Sequence, residues 1–412
     1  MIRWISGTIG VAAFETVDAS DDVFLLDVRD LVDKGGNLGA AVRTKIDEGL
    51  AARRAGRRVV VCCDYGISRS SAIAAGVIAA EEVIPYDDAV RRVIEATDET
   101  AMRIEVLAGV RSVLEGGDNG RSPRERRSLV VTGGSGFLGR QVVEQLVDRC
   151  DVTAPSRAEI DLTRDAVALD LLVREREADT VIHLANPRVY STNAAMGETL
   201  VSLKNVLDVC VQHDVHLIFP SSWEVFSGYQ TRHLLADESV PPNPSSAYGH
   251  TKLLCERLIE QVHAQTGLRH TLLRVGPVYG PGGARPKLIL NFIGKAMRGE
   301  PIVTHRYNNG EPALDLTHVD DVVAAFVSVV DRRPEQLLHF GTGIATSTWV
   351  IAEMIASLMS SSSTVESHPI DGFAANIAMD CTRARSYLGW APTHSLEEGL
   401  RELIDKWPGR GS

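Results

Sequence analysis

The chain has 412 residues, 44% of them hydrophobic and 24% charged, with 43 Lys and Arg against 54 Asp and Glu for a formal charge of −11. That length suits two or three globular domains with full cores, and the composition excludes a disordered or fibrous chain. The acidic balance argues against a general binder of nucleic acid or of a membrane surface, since either would carry a basic face. The six cysteines (Cys62, Cys63, Cys150, Cys210, Cys255 and Cys381) have neither metal-ligand spacing nor a disulfide framework, so no metal and reduced thiols in a cytoplasm are expected. No run of about 18 apolar residues is present to cross a membrane, and the start MIRWISGTIGVAAFETVD lacks the long apolar core of a signal peptide.

In chain order, Phe24–Val28 (FLLDV) and Arg58–Cys62 (RVVVC) read as buried strands, and Ser70–Ile84 and Tyr86–Leu114 as helices. They make a small α/β domain over 1–115. The stretch EGGDNGRSPRERRS has no apolar periodicity and places a linker at 116–128. From 129 to 412, strands at Ser128–Thr132, Asp151–Ala154, Thr180–Ala185, Leu217–Ser221 and Thr271–Val275 mostly alternate with helical patterns. That alternation predicts a Rossmann-type, doubly wound parallel sheet covered on both faces, with a smaller C-terminal portion. There is no internal repeat and no low-complexity tract.

The run Val59-Val60-Val61-Cys62-Cys63-Asp64-Tyr65-Gly66-Ile67-Ser68-Arg69-Ser70 is a strand, a short loop and a helix start. Such a loop turns its backbone N–H groups inward, and the helix N-terminus adds partial positive charge, so together they hold a phosphate dianion. Arg69 grips two phosphate oxygens in a fork. The same field stabilises a thiolate on Cys63, ready to attack phosphorus, with Ser70 as its hydrogen-bond partner. This run resembles the Cys-x5-Arg signature of the dual-specificity and tyrosine phosphatase superfamily, in its Cys-x-x-Gly-x-x-Arg-Ser form. The resemblance covers about residues 20–115, with Cys62 where that family usually has His, and Gly66 and Ser70 in its phosphate-binding turn. It also implies a general acid about thirty residues upstream, for which Asp33 and Asp30 are both placed, Asp33 lying beside Gly35-Gly36.

The second run, Leu129-Val130-Val131-Thr132-Gly133-Gly134-Ser135-Gly136-Phe137-Leu138-Gly139, is a strand, a glycine turn and a helix start. Gly133 permits the tight turn, Gly136 lets the backbone approach a pyrophosphate, and Gly139 lets helix and strand pack closely, with Ser135, Phe137 and Leu138 beside them. Tyr248-Gly249-His250-Thr251-Lys252 puts Tyr248 and Lys252 on one helix face. Lys252 is expected to lower the Tyr248 pKa, so that the phenol exchanges a proton with substrate while hydride moves to or from a nicotinamide. Upstream, Phe219-Pro220-Ser221-Ser222-Trp223-Glu224 ends a strand with hydroxyls, and Ser222 is the candidate partner for the reacting oxygen.

Residues 129–408 resemble the extended short-chain dehydrogenase/reductase family. The resemblance includes Val181-Ile182-His183-Leu184-Ala185, Arg274-Val275-Gly276-Pro277-Val278-Tyr279-Gly280, Thr317-His318-Val319-Asp320-Asp321 and Tyr387-Leu388-Gly389-Trp390. It implies Leu184, Ala185, Asp161 and Leu162 at the cofactor, a C-terminal portion closing over a carbohydrate substrate, and a homodimer paired through helices such as that of Tyr248. After the second strand, Ser156-Arg157 stands where an NAD site usually carries an acid, so Arg157 points to NADP, with NAD the alternative. Trp223 and Glu224 line the substrate side, Trp223 standing where dehydratases carry Asp. That ranks a reductase or epimerase above a dehydratase. Leu314 occupies the place of an Arg that grips the nucleotide diphosphate in relatives, leaving Arg306 and Asn308 as possible substitutes and a sugar, sugar phosphate or nucleotide-sugar as substrate. The whole reads as a bifunctional oxidoreductase or epimerase with a phosphatase. The competing class is an NADPH-sensing regulatory protein with a phosphate-binding module.

Overall fold

The structure, a computed structural model, describes residues 1–17, 23–116, 126–187, 189–190, 192–283 and 286–407. Most of the expected linker lies outside them. The described chain forms two units. The first joins Met1–Glu125 with Ile160–Glu177 and Val211–His213, and the second joins Arg126–Glu159, Ala178–Cys210 and Asp214–Ser412. The stretch Ile160–Glu177 therefore groups with the first unit, although its sequence pattern places it among the alternating elements of the second.

In the first unit, β1 (Arg3–Trp4), β2 (Ile9–Ala13), β3 (Val23–Asp27) and β4 (Arg58–Cys63) form a sheet in the order β1-β2-β4-β3. β4 runs parallel to both β2 and β3. Val59, Val60 and Val61 have no exposed surface, as a central strand requires, and each such side chain stabilises the fold by roughly 1.5–3 kcal/mol relative to leaving it in water. Helices α1 (Gly39–Arg54), α2 (Ser68–Glu82), α3 (Tyr86–Thr97) and α4 (Ile104–Glu115) complete the unit. α1 and α2 approach closely because Gly49 has no side chain; a Cβ there would lie 2.6 Å from a Val77 methyl. The single helix expected over Tyr86–Leu114 is two. Asp98 closes α3 in the left-handed conformation, φ +52°, and the Arg103 N–H before α4 donates to the Ser68 hydroxyl at 3.1 Å.

In the second unit six parallel strands lie in the order Leu337–Phe340, His270–Val275, His216–Ser222, Thr180–His183, β5 (Ser128–Thr132), Asp151–Thr153. This is a Rossmann-like α/β sheet. The chain enters at β5 and winds outward both ways, so a crevice is expected beyond the carboxyl ends of β5 and Thr180–His183, where ligands of open α/β sheets bind. A second apolar cluster in the C-terminal portion is built on Tyr279, Phe292, Ile293, Ile351, Ile355 and Leu400. No helix among the described residues is long and apolar enough to cross a membrane. All six cysteines are free and buried.

Behind the strand ends Glu256, 1% exposed, accepts from Arg274 Nη2 at 2.7 Å and Nε at 3.0 Å, and from the Ser221 hydroxyl. Removing one partner of such a pair strands a buried charge. Glu256→Ala is expected to cost about 3–5 kcal/mol in urea unfolding; a loss below about 1 kcal/mol would show that the pair is solvated.

Candidate active site

In the first unit β4 delivers Cys63, 3% exposed, to a turn that enters α2 at Ser68. Gly66 has φ +69°, and a Cβ there would come within 2.3 Å of the Ala12 carbonyl carbon on β2, so the turn needs glycine. The turn closes on sulfur: the Gly66 N–H donates to Cys63 Sγ at 3.2 Å and the Ser70 hydroxyl lies 3.3 Å from it. Burial pushes this thiol up. Hydrogen bonds from the Ser70 hydroxyl and from the backbone of Ser70, Ile67 and Tyr65 outweigh burial and leave Cys63 below the ordinary cysteine range. Burial pushes its neighbour Cys62 up to about 11.

Arg69 is buried beside this turn. Its Nη1 donates to the carbonyls of Leu31 at 2.8 Å and Arg29 at 3.1 Å, its Nη2 pairs with the Asp64 carboxylate, and its buried Nε has no hydrogen-bond partner among the described residues. The loop after β3 is thereby tied to the turn. On that loop Asp33 pairs with Arg103 Nε at 3.3 Å, its Oδ1 buried without a partner among the described residues, while Asp30 pairs with Lys45 at 3.1 Å.

In the second unit Gly133 has φ +74°, and a Cβ on it would come within 2.5 Å of the Ala185 N. A Cβ on Gly139 would come within 2.2 Å of the Gly133 carbonyl oxygen. Both glycines are thus fixed by close backbone approach, Gly133 to Leu184-Ala185 and Gly139, inside the helix α5 (Phe137–Leu146), to Gly133-Gly134. A Cβ on Gly136 would stand 3.2 Å from the Gly133 oxygen, so packing constrains that position less. Gly136 caps α5 with no side-chain hydrogen bond, which leaves first-turn N–H groups to face an anion. The turn through Ser135, Phe137 and Leu138 fits a dinucleotide pyrophosphate.

Ser222 ends its strand 7% exposed and caps the short turn Trp223–Phe226, its hydroxyl accepting from the Glu224 N–H at 3.2 Å. Tyr248 stands in the first turn of the helix Ala247–Thr266, which Ser246 caps. Gly249 follows because a Cβ there would lie 2.3 Å from the Glu224 carbonyl oxygen; this packs the Tyr248 helix against the Trp223–Phe226 turn. The Ser246 hydroxyl donates to the Glu224 carboxylate at 2.6 Å. Burial raises Glu224 above the usual carboxylate range, with Ser246 opposing.

One expectation is corrected. Tyr248 is not lowered: burial and then the Glu224 carboxylate raise it. The Lys252 ammonium donates to the Pro220 carbonyl at 2.8 Å and lies 5.6 Å from the Tyr248 ring centroid, and burial lowers its own pKa.

Other candidates are placed differently. Asp161 accepts from the N–H and hydroxyl of Thr163, at 3.0 and 2.7 Å, as part of a local turn, with Leu162 largely buried beside it. Arg157 is exposed with a Glu198 oxygen 3.9 Å from its Nη2. Asn308 is tied to Asp371 at 2.9 Å, and Arg306 is exposed at the end of the strand Ile302–Arg306. The neighbour Asn309 is the buried one, donating to the carbonyls of Ala374 at 2.8 Å and Thr231 at 2.9 Å. Two residues were missed in sequence. Tyr190 packs on Tyr248 with centroids 4.6 Å apart and the rings tilted by 44°, a contact without motif. Glu159 accepts from the Ser156 N–H at 2.7 Å, and its place three residues past Ser156 was the available signal.

A parallel sheet with this glycine turn, and a Ser, Tyr and Lys at its strand ends, is the arrangement of a short-chain dehydrogenase/reductase. The chain belongs to the NAD dependent epimerase/dehydratase family, which it matches over residues 129–339. The dTDP-L-rhamnose 4-epimerase of Burkholderia thailandensis is 28% identical over 341 residues, covering 67% of this chain and 94% of that protein. UDP-glucuronic acid decarboxylase 1 of Arabidopsis thaliana is 24% identical over 326 residues, covering 72% and 74%. A crystal structure of the Thermus thermophilus UDP-glucose 4-epimerase in complex with NAD is similar in fold, with a TM-score of 0.60 at 24% identity, covering 69% of this chain and 99% of that one.

Proposed function

We propose that the second unit is an NAD-dependent epimerase of a nucleotide-linked sugar, and that the first is a cysteine-dependent phosphatase. The epimerase reading is carried by Ser222, Tyr248 and Lys252 converging at the carboxyl ends of a sheet whose glycine turn fits a dinucleotide. Bound there, a nicotinamide supplies hydride acceptance and return. Ser222 orients the reacting oxygen, and Tyr248 would take the hydroxyl proton as the carbon is oxidised and return it to the same oxygen as the carbonyl is reduced. Lys252, fixed to Pro220, keeps a positive charge near the strand end. Glu224 is a second proton carrier within reach of the Tyr248 turn, and it supports dehydration as the alternative outcome. The test is incubation of the full chain with UDP- and dTDP-hexoses and NAD, followed by NMR. Exchange of the two C4 epimers is expected; a product one water lighter would move the assignment to a dehydratase, and no conversion of any sugar would overturn it.

For the cofactor, Arg157 was the reason to expect NADP. Glu198 beside Arg157, and Glu159 on the same loop, place carboxylates around the position a 2′-phosphate would need. NAD, the cofactor in the Thermus thermophilus structure, is favoured on that ground. Arg157→Ala should leave NADH affinity within about twofold of the parent. If NADPH binds the parent tighter than NADH, and this variant loses at least about tenfold of that affinity, NADP is the cofactor instead.

The phosphatase reading is carried by Cys63, which the turn holds below the usual thiol range beside a buried Arg69 with an orphan donor. Asp33 is favoured over Asp30 as general acid. Its partner Arg103 binds Ser68 at the start of α2, whereas Asp30 turns to Lys45 on α1.

A further inference from the structure

Phosphate binding in a turn of this kind uses one edge of an arginine, its Nε and one Nη, as a two-toothed fork. Arg69 offers that edge already half engaged. Nη1 is committed to the Leu31 and Arg29 carbonyls, Nε is buried without a partner among the described residues, and Nη2 is held by the carboxylate of Asp64, which follows the nucleophile in the same turn. The two partners differ in freedom. The Asp64 side chain is 52% exposed and that of Arg69 only 10%. The carboxylate can swing into water, whereas the guanidinium is pinned from behind.

We propose that Asp64 is a built-in competitor of phosphate at the Cys63 turn, a resident carboxylate that occupies Arg69 until a phosphate monoester displaces it. The proposal rests on the reading of the turn as a phosphate cradle and adds how its occupancy is set. Substrate binding must break an ion pair before it makes its own, so affinity is lower than the turn would otherwise give. An ester with further negative charge beside its phosphate meets Asp64 again at the mouth and binds less well still.

The experiment is calorimetric titration of inorganic phosphate into the full chain and into Asp64→Asn, Asp64→Ala and Asp64→Glu. The first two are expected to bind phosphate about tenfold tighter than the parent, a change within reach of one partly buried ion pair. Asp64→Glu should stay close to the parent, and the KM for p-nitrophenyl phosphate should fall in step in the first two. Asp64→Ala guards against the Asn side chain still accepting from Arg69. Parent and Asp64→Ala binding phosphate with equal, measurable affinity would overturn the competitor and leave the cradle standing. Phosphate bound by neither would overturn both.

Discussion

Tyr248→Phe should lower turnover of the sugar substrate by about a thousandfold while leaving NAD affinity within about twofold of the parent. The substitution removes one oxygen from a ring that packs against Tyr190 at 4.6 Å and lies beside the Glu224 turn. The ring contacts survive, so stability and cofactor binding should too. What disappears is the phenol on the helix that also carries Lys252, whose ammonium reaches the Pro220 carbonyl two residues before Ser222. The lost function is proton exchange with the reacting oxygen, and the loss should fall on kcat rather than KM. Steady-state kinetics with calorimetric titration of NAD makes the distinction. Turnover within about fivefold of the parent would remove Tyr248 from the chemistry.

Cys63→Ser should abolish hydrolysis of p-nitrophenyl phosphate, a loss of at least about a thousandfold, and leave sugar turnover unchanged. Sulfur is the reactive atom here because the turn supplies the Gly66 N–H and Ser70 hydroxyl around it and holds it below the ordinary cysteine range. A serine hydroxyl ionises far too weakly to be converted to an alkoxide by the same hydrogen bonds. The linkage has a definite sign. A thiol whose folded pKa is lowered contributes stability above its unfolded pKa, and that contribution is lost as pH falls through the folded value. Hydrolysis should therefore retain its thiolate at pH values where an ordinary cysteine is already protonated. Residual hydrolysis at the parental rate in Cys63→Ser would end the phosphatase reading.

How much was legible in sequence followed the range of the interaction. The strand Arg58–Cys63 and the turn after it are local, so their chemistry was readable from spacing, as were the glycine turn and the Tyr248/Lys252 pair. The break falls where Asp98 turns left-handed, a conformation that the apolar pattern does not encode, and the next helix starts beside a hydrogen bond from Arg103 to Ser68, thirty-five residues away. The short strands Arg3–Trp4 and Ile9–Ala13, and the helix Gly39–Arg54, carry too few periodic residues to stand out. Arg306 and Asn308 lie near Leu314 in sequence, yet the buried contacts of that loop belong to Asn309.

What the amino-acid order determined alone was the inventory of local devices. Gly139 is dictated by the Gly133 carbonyl six residues earlier, whereas Gly66 and Gly133 are fixed by Ala12 and Ala185, far away in sequence, and hydroxyls, phenol and thiol sit at spacings that secondary structure converts directly into faces. What the tertiary structure decided was the charge state and partner of each device. Lys252 was expected to act on Tyr248, yet its ammonium donates to Pro220, and the phenol instead feels Glu224, brought near by the tight packing at Gly249. Arg69 was expected to await phosphate, yet Asp64 holds one of its nitrogens. The physical reason is the same in both cases. A titration or an ion pair is set by which groups lie within a few ångströms after burial, and spacing along the chain does not contain that distance.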